Sequence, residues 1–356
     1  MTPMGGVDVL GRIGPDGPRL LVLYTGGTIG MGPGPDGSLV PLDLRELGAH
    51  LPFVSRLPLG LTIATLANPI DSSAMGPSDW IVIADAIVQH APGHAGVVLL
   101  HGTDTMAYTA SAMSFLLEGI DTPIVLTGAQ RPVTELRSDG RENLVTAMAI
   151  AAGHLRGAPL VPEVTVFFDD VLLRGNRTVK VHADSYHGFT SPNFPPLATA
   201  GVRIDIETTL VRPPGTGPIR RSGGVSDAVT ALRLHPGLDE LSTRAVFDRP
   251  GLRGVVLEAY GAGNGPTEAW FLDPIRSAVD QGATVVVTTQ CRAGSVVGGR
   301  YATGSALQAT GALSGGDMTF EAALTKLMVL VNRHGPDEVR QLMQEDLAGE
   351  ITTTPR

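Results

Sequence analysis

The chain has 356 residues, of which 43% are hydrophobic and 17% are charged, and its formal net charge is −9. This length suits two domains, and the apolar content excludes a disordered chain. The acidic balance, without a run of basic residues, argues against binding to nucleic acid. No apolar stretch approaches the roughly 20 residues that span a membrane, so we expect no membrane segment.

Cys291 is the only cysteine of the chain. It excludes an internal disulfide and fits a reducing compartment. Residues 1–18 are rich in glycine and proline and lack the basic and apolar regions of a secretory signal. We therefore expect residues 1–18 to be disordered or extended and the protein to be cytoplasmic.

In the N-terminal half, short apolar runs alternate with helical patterns, which indicates βαβ units and a parallel sheet. The predicted strands cover residues 20–24, 61–66, 96–100, 123–127 and 163–168. Helices are predicted over residues 78–89, 106–118 and 140–155. Ser78 is the expected N-cap of the first helix, because a serine hydroxyl can accept a hydrogen bond from a free backbone N–H.

The periodic pattern stops near Thr208. Residues 208–225 contain three prolines and several glycines, a composition that favours a linker. The α/β alternation then resumes, with strands predicted over 231–234, 254–258 and 283–288 and a helix over 319–333. The sequence thus predicts an α/β protein. A larger N-terminal domain, residues 19–207, holds a doubly wound and mostly parallel sheet, and residues 226–356 form a smaller C-terminal α/β domain.

Turns rich in glycine and hydroxyl groups follow the first three predicted strands. They are Thr25-Gly26-Gly27-Thr28, Ile70-Asp71-Ser72-Ser73 and His101-Gly102-Thr103-Asp104-Thr105. Ligands bind outside the carboxyl ends of the strands in open parallel sheets, so we expect these turns to meet at one crevice of the N-terminal domain. Glycines permit close approach of the backbone, and helix N-termini supply N–H donors for an anion or an oxyanion.

Each of these features also has a simpler interpretation. The first turn lacks the Gly-Lys-Ser/Thr of a P-loop and does not match Gly-x-Gly-x-x-Gly, so a nucleotide site is poorly supported. Asp104 can simply cap the helix that follows it. His101 has no partner at zinc spacing, which favours a structural role and predicts no metal site.

Lys180 and Lys326 are the only lysines among the 26 basic residues. A coding bias toward arginine explains the ratio, and an exposed loop lysine is the simpler interpretation of Lys180. Arginine cannot release its proton in a protein, however, whereas a lysine can be tuned to do so. A lysine kept at position 180 therefore suggests a role in proton transfer.

Longer motifs contain these turns and continue along the chain. They are Tyr24-Thr25-Gly26-Gly27-Thr28-Ile29-Gly30-Met31, Asp71-Ser72-Ser73-x-Met75, His101-Gly102-Thr103-Asp104-Thr105-Met106-Ala107-Tyr108-Thr109, Thr127-Gly128-Ala129-Gln130-Arg131-Pro132, Ser138-Asp139-Gly140-x-x-Asn143-Leu144, Arg174-Gly175-Asn176-Arg177-Thr178-x-Lys180, Tyr260-Gly261-x-Gly263-Asn264, Thr289-Gln290-Cys291 and Tyr301-Ala302-Thr303-Gly304. In this order they resemble the bacterial-type L-asparaginases. The Asp-Ser-Ser and Thr-Gln-Cys details resemble the cytoplasmic, type I branch of that family.

The resemblance implies a two-domain homodimer or homotetramer that hydrolyses L-asparagine to L-aspartate and ammonia without a metal or cofactor. Thr28 resembles the nucleophile that forms an acyl-enzyme. The residues that resemble the second catalytic cluster of the family are Thr103, Asp104 and Lys180. Those that resemble its pocket for the amino-acid substrate are Asp71, Ser72, Ser73, Thr103 and Asp104. A threonine hydroxyl needs a base, which a lysine tuned by burial can provide through Thr103, and Asp104 suits the ammonium group of a substrate.

The chain departs from the family in two places. The family has a tyrosine in the mobile loop after the first motif, whereas residues 32–41 contain none, and Ser38 lies near the expected position. Either another group activates Thr28, or turnover is slow, or the substrate differs. Tyr301, in the C-terminal domain, is a candidate to assist Thr28 in place of the missing tyrosine. The alternative interpretation is that Tyr301 only packs within a loop. Glu258 replaces the arginine of an effector site in some members, so allosteric control is not expected.

Other functions remain open from the sequence. Glutamine or another small amide can replace asparagine, because one methylene changes binding only modestly. An amidase subunit for transamidation of charged tRNA carries an extra N-terminal domain, whereas here the first strand begins by Leu20. A catalytically weak amino-acid-binding or sensing protein on the same fold is the alternative from another class.

Overall fold

The computed structural model describes residues 6–33, 39–41, 59–296 and 302–353. The chain divides into two compact units. Unit 1 consists of Met1–Ser191 and Pro195–Ser222, and unit 2 consists of Pro192–Phe194 and Gly223–Arg356. The segment predicted as a linker therefore belongs to unit 1 over residues 208–222.

Unit 1 contains fifteen strands in its described residues. They are β1 Val7–Ile13, β2 Arg19–Tyr24, β3 Met31–Pro33, β4 Leu39–Pro41, β5 Gly60–Leu66, β6 Gly96–Leu100, β7 Leu117–Glu118, β8 Ile124–Thr127, β9 Val164–Phe168, β10 Val171–Arg174, β11 Val179–Lys180, β12 Phe189–Thr190, β13 Ala198–Ala200, β14 Ile204–Ile206 and β15 Arg220–Arg221. Nine of them form one sheet in the order β1-β5-β2-β6-β8-β9-β10-β13-β14. The other six pair as β3-β4, β11-β12 and β7-β15.

Five neighbouring strands of the large sheet, β5, β2, β6, β8 and β9, are parallel. Nearly every residue of β2, β6, β8 and β9 is buried, which fits continuous apolar strands covered on both faces. From β2 the chain passes to β5 on one side and later to β6 on the other. The strand order therefore reverses between β2 and β6, the position where α/β sheets bind ligands.

The edges of this sheet are antiparallel. Within the segment predicted to be disordered or extended, residues 7–13 form β1, which pairs with β5. At the other edge, β9 and β10 make a hairpin whose turn residues, Asp169 and Asp170, have φ of 47° and 67°. Positive φ at both turn residues is characteristic of a type I′ turn, one of the two common two-residue hairpin turns, and aspartate tolerates it better than most side chains.

The α-helices in the described residues of unit 1 are α1 Pro77–His90, α2 Met106–Leu116 and α3 Gly140–Ala152. The prediction that Ser78 caps α1 is wrong, because the helix begins with Pro77 and its N-cap is Gly76. The backbone N–H of Gly76 donates to Asp79 Oδ2 at 2.7 Å. Proline suits the first helical position because it has no N–H to leave unpaired.

Unit 2 is a smaller α/β unit. Its strands β16 Val229–Arg233, β17 Gly254–Ala259, β18 Thr284–Thr289 and β19 Leu313–Ser314 form a parallel sheet in that order. Within the part of unit 2 that the structure describes, the α-helices are α4 Glu240–Phe247, α5 Ala269–Asp280, α6 Ala302–Gln308, α7 Phe320–Arg333 and α8 Pro336–Leu342. An apolar cluster that includes Leu257, Val285, Phe271 and Ile275 packs this sheet against α5. The predicted fold class, a larger mostly parallel unit and a smaller α/β unit, is confirmed.

Of the helices in the described ranges, none has the length and apolar character to cross a membrane.

Candidate active site

The turns after β2, β5 and β6 pack directly on one another. A Cβ added at Gly27 would lie 2.4 Å from the backbone of Gly102, and one at Gly26 would lie 2.0 Å from the carbonyl oxygen of Ile70. A Cβ at Gly102 would lie 2.4 Å from Ser72 Oγ. Only glycine fits at these contacts, so the three glycines let the three turns share one edge of the sheet.

Hydrogen bonds join the same turns. Thr25 donates to the carbonyl of Leu100 through its backbone N–H at 2.9 Å and through Oγ1 at 3.0 Å. The N–H of Ile70 donates to the carbonyl of Thr25 at 2.8 Å. Thr105 Oγ1 donates to the carbonyl of Ser72 at 2.8 Å. The geometry thus brings the three sequence motifs together at the carboxyl ends of neighbouring parallel strands.

Thr28 begins a single 3-10 turn, Thr28–Gly30, and is half-buried. Gly26 and Gly27, with φ of 130° and 93°, turn the chain sharply out of β2 just before it. Gly27 lies against Gly102, so the turn that carries Thr28 packs on the turn that carries Thr103.

The second threonine contacts the two other residues predicted for its cluster. Lys180 Nζ donates to Thr103 Oγ1 at 2.9 Å and to Asp104 Oδ1 at 2.6 Å. The side chain of Lys180 is 18% exposed and that of Asp104 is 60% exposed. Asp104 does not cap α2, whose N-cap is Thr105. The capping interpretation of Asp104 is therefore wrong, and the ion pair faces solvent on one side.

The predicted pocket residues of the second turn differ in exposure. Asp71 is exposed, and its Oδ1 accepts hydrogen bonds of 2.9 Å from both the backbone N–H and the hydroxyl of Ser73. These two bonds lower the pKa of Asp71, so its carboxylate is charged at neutral pH. Ser73 is also exposed, whereas Ser72 is 3% exposed and lies beneath Gly102. Asp71 and Ser73 are thus accessible to a ligand, and Ser72 mainly packs the turns together.

His101 lies under the third turn and is fully buried. Its Nδ1–H donates to the carbonyl of Gly102 at 2.7 Å, and its Nε2 accepts from Thr109 Oγ1 at 2.8 Å. Trp80 Nε1 donates to the same Thr109 oxygen at 3.2 Å. Burial lowers the pKa of His101 to about 4, so the ring is neutral and supports the turn. Among the described residues, no group of three or more His, Cys, Asp or Glu side chains is arranged to hold a metal ion.

Two predictions from the sequence concern residues that the structure does not describe. Ser38, which marks the position of the missing loop tyrosine, and Tyr301, the candidate helper, both lie outside the described residues. Their proposed parts in the site stay predictions. The hydrogen bond that the Tyr24 hydroxyl donates to the Gly27 carbonyl has no signal in the sequence, because the position of a strand residue before the motif does not show where its hydroxyl is directed.

Comparisons with known proteins show which family the chain belongs to. The family descriptions "Asparaginase, N-terminal" and "Glutaminase/Asparaginase C-terminal domain" match residues 19–212 and 228–343. The chain is 42% identical to L-asparaginase 1 of Escherichia coli (strain K12), over 94% of this chain and 98% of that one. It is 41% identical to the 60 kDa lysophospholipase of Mus musculus over 94% of this chain, and it spans 62% of that longer protein.

Solved structures show the same relationship. The crystal structure of L-asparaginase I from Vibrio cholerae O1 biovar eltor superposes with a TM-score of 0.85 and 38% identity, covering 94% of this chain and 99% of that one. This chain therefore belongs to the asparaginase family, and the resemblance seen in its motifs is confirmed.

Proposed function

We propose that this protein is an L-asparaginase that hydrolyses the side-chain amide of L-asparagine to L-aspartate and ammonia, with Thr28 as nucleophile. The observation that carries this proposal is the cluster of Lys180, Thr103 and Asp104, with distances of 2.9 Å and 2.6 Å, in a turn packed against the one that carries Thr28. Membership of the asparaginase family supports the reaction class.

Substrate recognition follows from the charges at the turns. The carboxylates of Asp71 and Asp104 are exposed and attract the α-ammonium group of an amino acid. The exposed hydroxyl of Ser73 and the N–H groups of the turns suit the α-carboxylate. These contacts fix the α-carbon, so the side-chain amide reaches toward the threonines.

The reaction proceeds in two acyl-transfer steps. Thr28 Oγ1 attacks the amide carbon while its proton passes to a base, and the C–N bond then breaks as the nitrogen takes up a proton and leaves as ammonia. Water hydrolyses the resulting ester, which releases aspartate and returns the proton to Thr28. Lys180 acts on these protons through the Thr103 hydroxyl, which contacts it.

Ammonia release from asparagine tests this proposal. The wild-type protein releases ammonia, and Thr28→Ala lowers kcat at least about 10³-fold because the nucleophilic oxygen is lost. Thr199→Ala, at an exposed threonine of β13, is the matched control and retains wild-type kcat. Saturable asparagine binding without ammonia from the wild type would overturn the enzymatic proposal and favour a sensing protein. Glutamine measured in the same assay gives the preference between the two amides.

Assembly and location are part of the same proposal. We expect a homodimer or homotetramer in the cytoplasm, as the family resemblance implies. Light scattering on the purified protein measures the oligomer, and a monomer that retains full activity would contradict this expectation.

A further inference from the structure

Tyr24 is the last residue of β2 and precedes the turn Thr25-Gly26-Gly27-Thr28. It is 2% exposed, and its hydroxyl donates to the carbonyl of Gly27 at 3.1 Å. That carbonyl belongs to the same planar peptide unit as the N–H of Thr28. The hydrogen bond therefore fixes the orientation of the peptide plane through which the chain enters Thr28.

The phenol ring of Tyr24 also packs against Gly30, two residues after Thr28. A Cβ added at Gly30 would lie 2.5 Å from Tyr24 Cε2 and 2.8 Å from its hydroxyl oxygen. The N–H of Gly30 donates to the same Gly27 carbonyl at 3.2 Å. One buried side chain thus contacts the backbone immediately before and two residues after Thr28.

The turn needs such support because of its sequence. Gly26 and Gly27 have positive φ and no side chains, so their peptide planes rotate more easily than those of other residues. The Thr103 turn has a parallel arrangement, in which buried His101 donates to the carbonyl of Gly102. Each threonine therefore follows a glycine whose carbonyl accepts a hydrogen bond from a buried aromatic side chain.

We propose that Tyr24 is a positioning residue for Thr28, holding the Gly27 carbonyl and the Gly30 backbone so that the nucleophile stays aligned for attack; this inference rests on the proposed function of Thr28. Tyr24 acts through the backbone and does not exchange protons with substrate. Burial raises the pKa of Tyr24 to about 12, and its hydroxyl is committed to Gly27.

Tyr24→Phe tests the inference, because it keeps the ring and removes the hydroxyl. Losing one buried hydrogen bond should lower kcat about three- to tenfold. KM should change less than about twofold, since Tyr24 forms no hydrogen bond with Asp71, Ser73 or Asp104 in the described residues. The decrease should be equal at every pH, whereas a proton-transfer role would change the shape of the pH profile. Tyr186→Phe, which removes a phenol bond to the Arg137 carbonyl, is the control and keeps wild-type kcat.

Hydrogen–deuterium exchange in the peptide 25–31 supplies a readout that does not require turnover. Faster exchange together with lower kcat in Tyr24→Phe supports the inference. Faster exchange with unchanged kcat, or unchanged exchange, overturns it.

Gly30→Ala is a second variant, which displaces the ring without removing the hydroxyl and should also lower kcat more than KM. A wild-type protein that releases no ammonia would overturn the proposed function instead, and exchange alone would then decide whether Tyr24 holds the turn.

Discussion

The two lysines of the chain lie in contrasting environments. Lys180, in unit 1, is 18% exposed and contacts the Thr103 hydroxyl and an Asp104 side chain that is 60% exposed. Lys326, in α7 of unit 2, is fully buried and pairs with the equally buried Glu350 at 2.6 Å. The side chain of Lys180 is thus partly accessible beside one hydroxyl group, whereas that of Lys326 is enclosed.

The polar contacts of Lys326 in the described residues are all with the C-terminal segment, residues 343–350. Its ammonium also donates to the carbonyl of Glu345 at 2.6 Å. Glu350 accepts hydrogen bonds from the N–H groups of Leu347 and Ala348. Burial alone raises the pKa of a carboxyl, but the Lys326 ammonium and these donors bring the pKa of Glu350 below its ordinary value.

The difference teaches how to separate structural from chemical lysines. Rarity in the sequence marks both, but only Lys180 combines solvent access with a hydroxyl partner that can pass a proton. Mutations should therefore divide cleanly, with loss of turnover at Lys180 and loss of stability at Lys326.

The largest expected effect is that of Lys180→Arg. Arginine keeps the charge and can still pair with Asp104, but it cannot release a proton. We expect kcat to decrease about 10³-fold or more while the free energy of unfolding changes by less than about 1 kcal/mol. Steady-state ammonia release and urea unfolding measure the two quantities. Near-normal turnover would remove Lys180 from the proton-transfer role.

Lys326→Met is the reciprocal change. It leaves the Glu350 carboxylate buried without its partner, which should lower the free energy of unfolding by about 3 kcal/mol. Per folded molecule, kcat should stay at the wild-type value. Urea titration measures the loss, and the double variant Lys326→Met/Glu350→Leu should recover much of it. A Lys326→Met protein with wild-type stability and impaired kcat would reverse the comparison.

His101 is a buried titratable side chain that forms no ion pair with the described residues. Its folded pKa of about 4 lies below the ordinary 6.5, so the unfolded chain binds the proton more tightly. The stabilisation is nearly complete above pH 6.5, and it decreases by about 2 kcal/mol when the pH falls to 5 and by about 3 kcal/mol when the pH falls to 4. Unfolding at pH 7 and pH 5, compared with His101→Asn, measures this contribution. An identical pH dependence in both proteins would show that His101 does not supply it.

The sequence predicted the parallel core well because fully buried strands have continuous apolar runs. The five predicted strands of unit 1 match β2, β5, β6, β8 and β9 to within one residue at each end. Strand β1 was missed because four of its seven residues are exposed, none is buried, and its partner β5 lies far along the chain. Helix α5 was missed because it contains Pro274, a residue that normally ends a helical pattern.

The site was predictable in part. Parallel strands end at one edge, which accounts for the meeting of the three turns. The contact of Lys180 with Asp104, 76 residues apart, was expected only through the family resemblance. The support by Tyr24 and His101 depends on where buried side chains are directed, which residue spacing does not encode.

The central claim is that Thr28, and not Thr103, is the nucleophile. Rapid quenching with acid during turnover of asparagine, followed by peptide mass spectrometry, tests it most directly. We predict an aspartyl ester on the peptide that contains Thr28 and none on the peptide that contains Thr103. An ester on Thr103, with Thr28 unmodified, would contradict the account.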